Sequence, residues 1–380
     1  MHLEVIGVGG AGCRIADTLR AVDPDDHSFV GDAFAFDTDG EDVTALSTIP
    51  ETHRHRYGQA VGNGLDGNLQ RGRTVGEEHV NELSRQVDDG RPSVADAFLV
   101  SVGLGGATGG GTVAPLVSDL KTLYDKPVYV LATIPADREF EPSADAPGQG
   151  GDPRPLAAEN AIRSLERLDG LADAIICFDN DAWLRTGETV ADARDRLNRE
   201  FATRVAALFA AAAGENTSTE AETVIDANDV GRILGSETAI ATLGYGTQQV
   251  ETDDGGSRFG LGLFSSEPSV DTSTAISAVE TSIQKALHGK LTLECERSNA
   301  DRAMLVVGGP PAWLNRQAIA DGRSVLESTT GSAGILSGDA PRPDGDSVFA
   351  VVLLAGAEPA DRLETLRSGT RPLDRSRTER

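Results

Sequence analysis

Short apolar runs, bounded by glycine-rich or polar stretches, dominate the first half of the chain. Residues 2–7, 33–37, 96–102, 127–133 and 174–178 read as strands and 12–21 as a helix, with further helical segments between several strands. Continuous apolar runs, rather than polar alternation, suit strands covered on both faces, which predicts a parallel sheet between helical layers. From Thr189 to about Ala213 the period changes: Val190, Ala193, Leu197, Phe201, Val205 and Leu208 recur at helical spacing. Asn198 falls beside that stripe on a neighbouring face. Thr189 and Asp192 read as the capping box that starts this long helix, and Gly214 as its stop. Beyond 219 the texture shifts to a second α/β unit, with a helix at 272–288 and strands at 291–295, 303–307 and 347–354. Segments 136–154 and 245–271 read as polar loops, and 367–380, charged and aperiodic, as a disordered tail.

Composition narrows the class. At 380 residues two domains are expected, and 39% hydrophobic content is enough for a globular fold. No apolar run approaches the ~20 residues of a membrane helix, and the start lacks a basic-then-apolar leader, so a soluble cytoplasmic protein without direct membrane insertion is expected. The net charge of −26 disfavours nucleic acid and anionic lipid as partners. Lysine occurs only at Lys121, Lys126, Lys285 and Lys290. An acidic surface so poor in lysine suits very high salt, where screening relieves self-repulsion; GC-rich codon bias is the plainer explanation. Cys13, Cys177 and Cys295 imply no disulfide framework. His53 and His55, near Glu51, lack a third spaced ligand and read as a solvated loop rather than a metal site.

Two glycine loops carry the chemistry. Gly7-Val8-Gly9-Gly10-Ala11-Gly12 follows the first strand and opens a helix, a pattern in which backbone N–H groups and a helix N-terminus can approach a phosphate. Alone it fits a Rossmann dinucleotide site equally well, with Asp37 or Asp39 on a ribose hydroxyl. A second loop, Gly103 to Thr112, also follows a strand and precedes a helix. Rossmann sites need one such loop; two suggest a triphosphate gripped from both sides, and the absence of Gly-Lys-Ser/Thr excludes a Walker P-loop.

The run GLGGATGGGTVAP resembles the tubulin/FtsZ signature, and IGVGGAG is similar to the first phosphate loop of FtsZ. FDNDAW, LRTGETV, KALHGKLTLECE and the Gly-Pro-Pro at 309–311 resemble the CetZ proteins of halophilic archaea; the likeness runs from about residue 2 to about 360. It implies an α/β, tubulin/FtsZ-like fold: a Rossmann-like parallel-sheet GTPase domain (1–188), a long central helix (189–213), a smaller α/β C-terminal activation domain (214–366) and a disordered tail (367–380). It also implies GTP or GDP with Mg²⁺ as the cofactors. On this resemblance Gly9, Gly10, Ala11 and Gly12 form the first phosphate loop, and Thr38 and Asp39 the second. Gly64, Leu65, Asp66, Gly67 and Asn68 form the third, and Gly105, Gly106, Ala107, Thr108, Gly109 and Gly110 the fourth. Pro135 to Glu139 approach the ribose, and Asn180 and Asn198 read the guanine edge, a task suited to carboxamides that carry both donor and acceptor. Ala107 and Gly110 depart from the usual signature, Arg194 stands where an aromatic residue stacks on guanine, and the 140–153 segment is longer than in typical relatives.

In this family an acidic loop from the next subunit completes the site. Val224 to Val230 matches that loop, with Asp226 and Asp229 as the catalytic carboxylates; the same pair also reads simply as a helix cap. The expectation is therefore a CetZ-type cytoskeletal GTPase that assembles head to tail, controls cell shape or motility, and meets the membrane, if at all, through an unidentified adaptor. Alternatives are an FtsZ-type division GTPase, a nucleotide-binding regulator without turnover, and an NAD-dependent oxidoreductase.

Overall fold

The computed structural model describes residues 1–62, 64–140, 154–213, 224–235, 237–251, 270–332, 334–357 and 361–369. In chain order the elements are β1 (Leu3–Val8), α1 (Gly9–Val22), β2 (Val30–Asp37), α2 (Gly40–Thr44), β3 (Arg54–Arg56), α3 (Leu69–Val87), β4 (Ala97–Gly103), α4 (Ala107–Leu123), β5 (Val128–Ile134), α5 (Asp137–Phe140), α6 (Ala157–Leu168), β6 (Ala174–Asp179), α7 (Asn180–Trp183) and α8 (Val190–Phe209). There follow α9 (Ala227–Leu234), β7 (Ala239–Gln249), α10 (Thr272–His288), β8 (Arg302–Gly309), α11 (Arg316–Thr330), β9 (Gly334–Pro341), β10 (Ser347–Ala355) and α12 (Arg362–Gly369).

All ten strands join one sheet in the order β3-β2-β1-β4-β5-β6-β7-β10-β8-β9. Pairing is parallel from β3 through β7; β10 runs antiparallel to both β7 and β8, and β9 is parallel to β8. Strands β1, β4, β5 and β6 are buried almost throughout, as their unbroken apolar runs demand. One core cluster draws residues from both halves: Leu3 and Ile15, Leu197 and Phe201, and Val351 and Leu353. No helix among the described residues is long and apolar enough to cross a membrane.

Chain direction places the business end. After β1 the chain winds outward to β2 and β3, then returns to β4 on the other side of β1. The crevice beyond the carboxyl ends of β1 and β4 is thus a topological switch point, where open α/β sheets hold ligands. Helix α8 crosses the sheet away from that crevice. Its capping box forms as expected, with Asp192 N–H donating to Thr189, and a short 3-10 turn at Ala210–Ala212 extends it to the far side. There the amino group of Met1, at the foot of β1, donates to Ala212 O. The stop expected at Gly214 lies outside the described residues.

Several expectations change. Residues 291–295 are not a strand: they form an irregular insertion in which Thr292 N–H donates to Leu243 O at 2.9 Å and Asp179 N–H to Thr292 O at 2.8 Å. This covers the sheet where β6 and β7 diverge. The loop expected from 245 is strand as far as Gln249, and α5 occupies the start of the loop expected at 136–154. The charged tail expected from 367 is helical to Gly369. His53 and His55 do not sit in a solvated loop but in a 3-10 turn and edge strand, stacked on Phe34 and Phe36 at 4.4 and 5.6 Å between ring centroids.

Candidate functional site

A cleft of ≈ 1220 Å³ opens at the switch point. Its floor begins with α1, which starts directly after β1 with no side chain capping its first turn and no acidic residue there. Helix α4 starts directly after β4 in the same way, with Gly106 at its N-cap. Helices α3, α8, α9, α10 and α11 are instead capped by Asn68, Thr189, Asp226, Asp271 and Asn315, and α6, which has no side-chain cap either, carries the acidic Glu159 in its first turn. An uncapped helix N-terminus leaves backbone N–H groups free and carries a partial positive charge, so it favours an anion. Two of them, meeting across one cleft, favour a polyanion.

The loops meet closely. Gly9 has φ +72°, and a Cβ on it would lie 2.7 Å from the Gly109 nitrogen, so the first and fourth loops touch backbone to backbone. The Thr38 and Thr108 hydroxyls are hydrogen-bonded at 3.0 Å, tying the second loop to the fourth. Asn160 of α6 donates to Gly67 O at 2.9 Å and to Gly105 O at 3.2 Å, tying the third loop to the fourth.

Of the residues singled out in the sequence, Gly9, Gly10, Ala11, Thr38, Asp39, Gly64, Leu65, Asp66, Gly67, Gly105, Gly106, Ala107, Thr108, Gly109, Pro135, Glu139, Asn180, Arg194 and Asn198 line this cleft. Three do not. Gly12 is buried against β4, where a Cβ would sit 2.1 Å from Ser101 O, so its role is helix–sheet packing. Asn68 turns its side chain to the N–H of Arg71 and caps α3. Gly110 faces Ser164 and Leu104 behind the loop. Glu139 lines the cleft with its carboxylate engaged, accepting from Ala136 N–H at 2.9 Å and pairing with Arg154 at 3.0 Å.

At the other end of the cleft, Arg194 and Asn198 stand one turn apart on α8 beside Leu197, facing Ile15 of α1 and Asn180 at the start of α7. Neither carboxamide hydrogen-bonds to another described residue. An apolar floor, two free carboxamides and a guanidinium can receive a planar heterocycle with a polar edge.

Further groups line the cleft beside the four loops, among them Asp37, which the dinucleotide alternative placed on a ribose hydroxyl. Asp37 is 2% exposed; Thr38 and Asp39 N–H groups donate to its Oδ1, while Oδ2 has no partner among the described residues. Burial pushes its carboxyl up to about 6. Arg14 pairs with Asp42 at 2.7 Å, and Arg138 and Arg154 add positive charge at the rim. Oxygen donors beside an anion site suit a hard divalent ion that keeps most of its waters; no group of three or more ligating side chains forms a ready-made cage among the described residues.

Asp226 and Asp229 lie outside the cleft. They form a reciprocal capping box on α9: Asp226 Oδ1 accepts from Asp229 N–H at 2.9 Å, and Asp229 Oδ2 from Asp226 N–H at 3.4 Å. Helix α9 leads into β7, whose first residue Ala239 pairs with Ala174 at the start of β6. Its end carbonyl, Leu234 O, accepts from Arg302 at the start of β8. The carboxyl end of α9 is thus at the end of the sheet opposite the cleft, the end toward which α8, about 30 Å long at 1.5 Å per residue, also runs.

Comparison with known proteins is consistent along the whole chain. Residues 2–188 match the GTPase domain of the tubulin/FtsZ family, and residues 187–371 match the C-terminal domain of tubulin-like CetZ. Tubulin-like protein CetZ5 of Haloferax volcanii is 34% identical over 100% of this chain and 94% of its own length. The structure of the GDP-bound CetZ1 monomer from Haloferax volcanii superposes with a TM-score of 0.80 at 31% identity, covering 97% of this chain and 98% of that one. The GTPγS-bound protofilament of CetZ2 from the same organism gives 0.78 at 29%, with the same coverage.

Proposed function

The chain belongs to the tubulin-like CetZ family of the tubulin/FtsZ GTPases, and from that premise we propose that it binds guanine nucleotide in the switch-point cleft, hydrolyses GTP and assembles head to tail into cytoplasmic filaments that act in cell shape or motility. The observation that carries the reading is the pair of uncapped helix N-termini, α1 and α4, converging on one cleft. The β- and γ-phosphates lie against these two N-termini and the loops at Thr38–Asp39 and Gly64–Gly67. The sugar lies along Pro135–Glu139, and the base between Arg194, Asn180 and Asn198. Asp37 and Asp39, which line the cleft, would hold the water shell of a Mg²⁺ ion, which would neutralise phosphate charge there. Residues 1–188 supply most of the nucleotide site, 189–213 connect the two units and add Arg194 and Asn198 to the site, and 214–366 supply the activating surface.

Hydrolysis requires the acids at the far end of the sheet. They cannot serve their own cleft, but a heterologous contact, repeated by translation, sets Asp226 and Asp229 of one subunit over the cleft of the next and generates an open filament. The GTPγS-bound protofilament of CetZ2 supports this arrangement. A carboxylate that orients the attacking water suffices, because phosphoryl transfer is mostly positioning and charge stabilisation. An oxidoreductase reading is set aside: the second glycine loop lines the same cleft as the first.

The test is nucleotide titration with sedimentation in concentrated KCl. GTP should bind in preference to ATP, and GTPγS should bring the protein into the pellet. Equal affinity for the two nucleotides would defeat the assignment.

A further inference from the structure

Helix α12, the last among the described residues, returns from the second unit to the first. Leu363 and Leu366 of α12 are buried in the core cluster formed by β4, α4, β5 and α6, with residues such as Val130, Ala161 and Ile162. Its first residue, Arg362, is 12% exposed and reaches three acceptors. Nη2 donates to Pro135 O at 2.7 Å, Nη1 to Asp137 Oδ1 at 2.6 Å, and Nε to Asp179 Oδ1 at 3.1 Å.

These acceptors sit on the two segments that form one end of the cleft. Pro135 lines it directly, and Asp179 caps α7, the turn that begins with the cleft residue Asn180. Asp137 N–H donates to Asp181 Oδ1 at 3.1 Å, so the two segments also touch each other. Asp137, Asp179 and Asp181 bring like charges together on segments joined by one guanidinium. Burial raises the Asp179 carboxyl to about 6, against the pull of Arg362.

We infer that α12 is a strap for the base-and-sugar side of the site, and that Arg362 is the positioning residue that sets Pro135 and Asn180 for the nucleoside. Its planar fork matches three acceptors in fixed directions, which a lysine ammonium cannot reproduce. Without it the carboxylates repel one another, the segments after β5 and β6 part, and the nucleoside loses its contacts. Pro135 packs against Gly105 of the fourth loop, but the hydrogen bonds of Arg362 go only to the segments after β5 and β6, and the phosphate loops keep their own ties, Thr38 to Thr108 and Asn160 to Gly67 and Gly105. Helix α12 thereby sets nucleotide affinity. This inference rests on the guanine-nucleotide reading of the cleft.

The experiment compares GTP with inorganic tripolyphosphate, which presents the phosphates and no nucleoside, on the full chain in concentrated KCl. Arg362→Ala is expected to weaken GTP binding by about tenfold or more, the scale of lost charge-assisted hydrogen bonds, while tripolyphosphate binding stays within about twofold. Arg362→Lys is expected to fall between parent and alanine variant for GTP alone, and it carries the test if the alanine variant does not fold. Unchanged GTP affinity, or a parallel loss for both ligands, would overturn the inference and leave Arg362 a purely structural tie. A parent protein that binds tripolyphosphate but no guanine nucleotide would instead overturn the reading beneath it.

Discussion

Asp226 and Asp229 can be made to declare which of two tasks they perform, because the capping box and the shared active site ask different things of the same atoms. A cap needs only an acceptor oxygen at Asp226, which asparagine also supplies; N-cap Asn and Asp are close to equivalent, whereas alanine costs about 1 kcal/mol. The structure ranks the two arms. The bond from Asp229 N–H to Asp226 Oδ1 is 2.9 Å and the return bond to Asp229 Oδ2 is 3.4 Å, so the first arm carries most of the local stability. Asp226→Ala should therefore lose about 1 kcal/mol, Asp226→Asn a few tenths, and Asp229→Asn less than about 1 kcal/mol, the value of an anion in a first turn. Turnover should follow a different order. A positioned carboxylate contributes roughly 10²–10⁴-fold, so both asparagine variants should bind GTP normally and hydrolyse it at least about 10²-fold more slowly. Denaturant unfolding measures the first ranking and phosphate release the second. Specific activity of the parent should rise with protein concentration. Adding Gly106→Asp, which has room for its Cβ (nearest neighbour Arg154 at 3.4 Å) and would cap α4 with a carboxylate in place of phosphate, should restore turnover to Asp229→Asn. Concentration-independent turnover, or asparagine variants with parental rates, would refute a site shared between subunits.

Replacing Asn180 or Asn198 by alanine should weaken GTP by roughly 1–3 kcal/mol, the cost of leaving a desolvated polar edge unpaired, and should leave tripolyphosphate binding intact; isothermal titration checks both. Glu4 is 1% exposed and burial lifts its carboxyl to about 7, with Oε2 lacking a partner among the described residues. The folded chain therefore holds this proton more tightly than the unfolded chain, and the group costs on the order of 3 kcal/mol once pH passes 7, a cost that fades toward pH 4.5. Glu4→Gln, which keeps the acceptor for Arg91 N–H, should raise Tm more at pH 7.5 than at pH 5, and equal shifts at both would count against it. With a net charge of −26, folding and assembly should improve toward molar salt, where the screening length is ~3 Å; greatest stability in dilute buffer would contradict the high-salt expectation.

The strands of the nucleotide half were legible because two-sided burial writes an unbroken apolar run, and the two phosphate loops because backbone contact demands glycine. Strand β7 was hidden by the same logic. Gly246 falls within the segment that reads as a polar loop from 245, yet a Cβ at Gly244 or Gly246 would lie 2.0 or 2.1 Å from the Ala286 or Ser282 carbonyl of α10, so glycine here marks close helix–sheet contact. Residues 291–295 misled in the opposite direction: Leu291 and Leu293 are buried as a strand's would be, but their segment is hydrogen-bonded to Thr242 and Leu243 as an irregular plug. Asn160 and Arg362 carry no motif. Each acts through a carbonyl or a carboxylate that folding brings to it, for Arg362 from more than 200 positions away, and no local spacing announces that.

The single sheet has a bearing on how the protein can be divided. The family boundary near residue 188 falls just before α8, where cutting the chain looks natural. A fragment ending there would bare the outer edge of β6, which β7 covers at only Ala174, Ile175 and Ile176 and Thr292 covers at Asp179. It would also strip Phe201, Val205 and Phe209 from the apolar face beneath β1. An open, uncharged strand edge beside a bared apolar face is a template for sticking to its own kind. The boundary is one of ancestry, then, and not a place where the chain can be parted and both pieces remain well behaved.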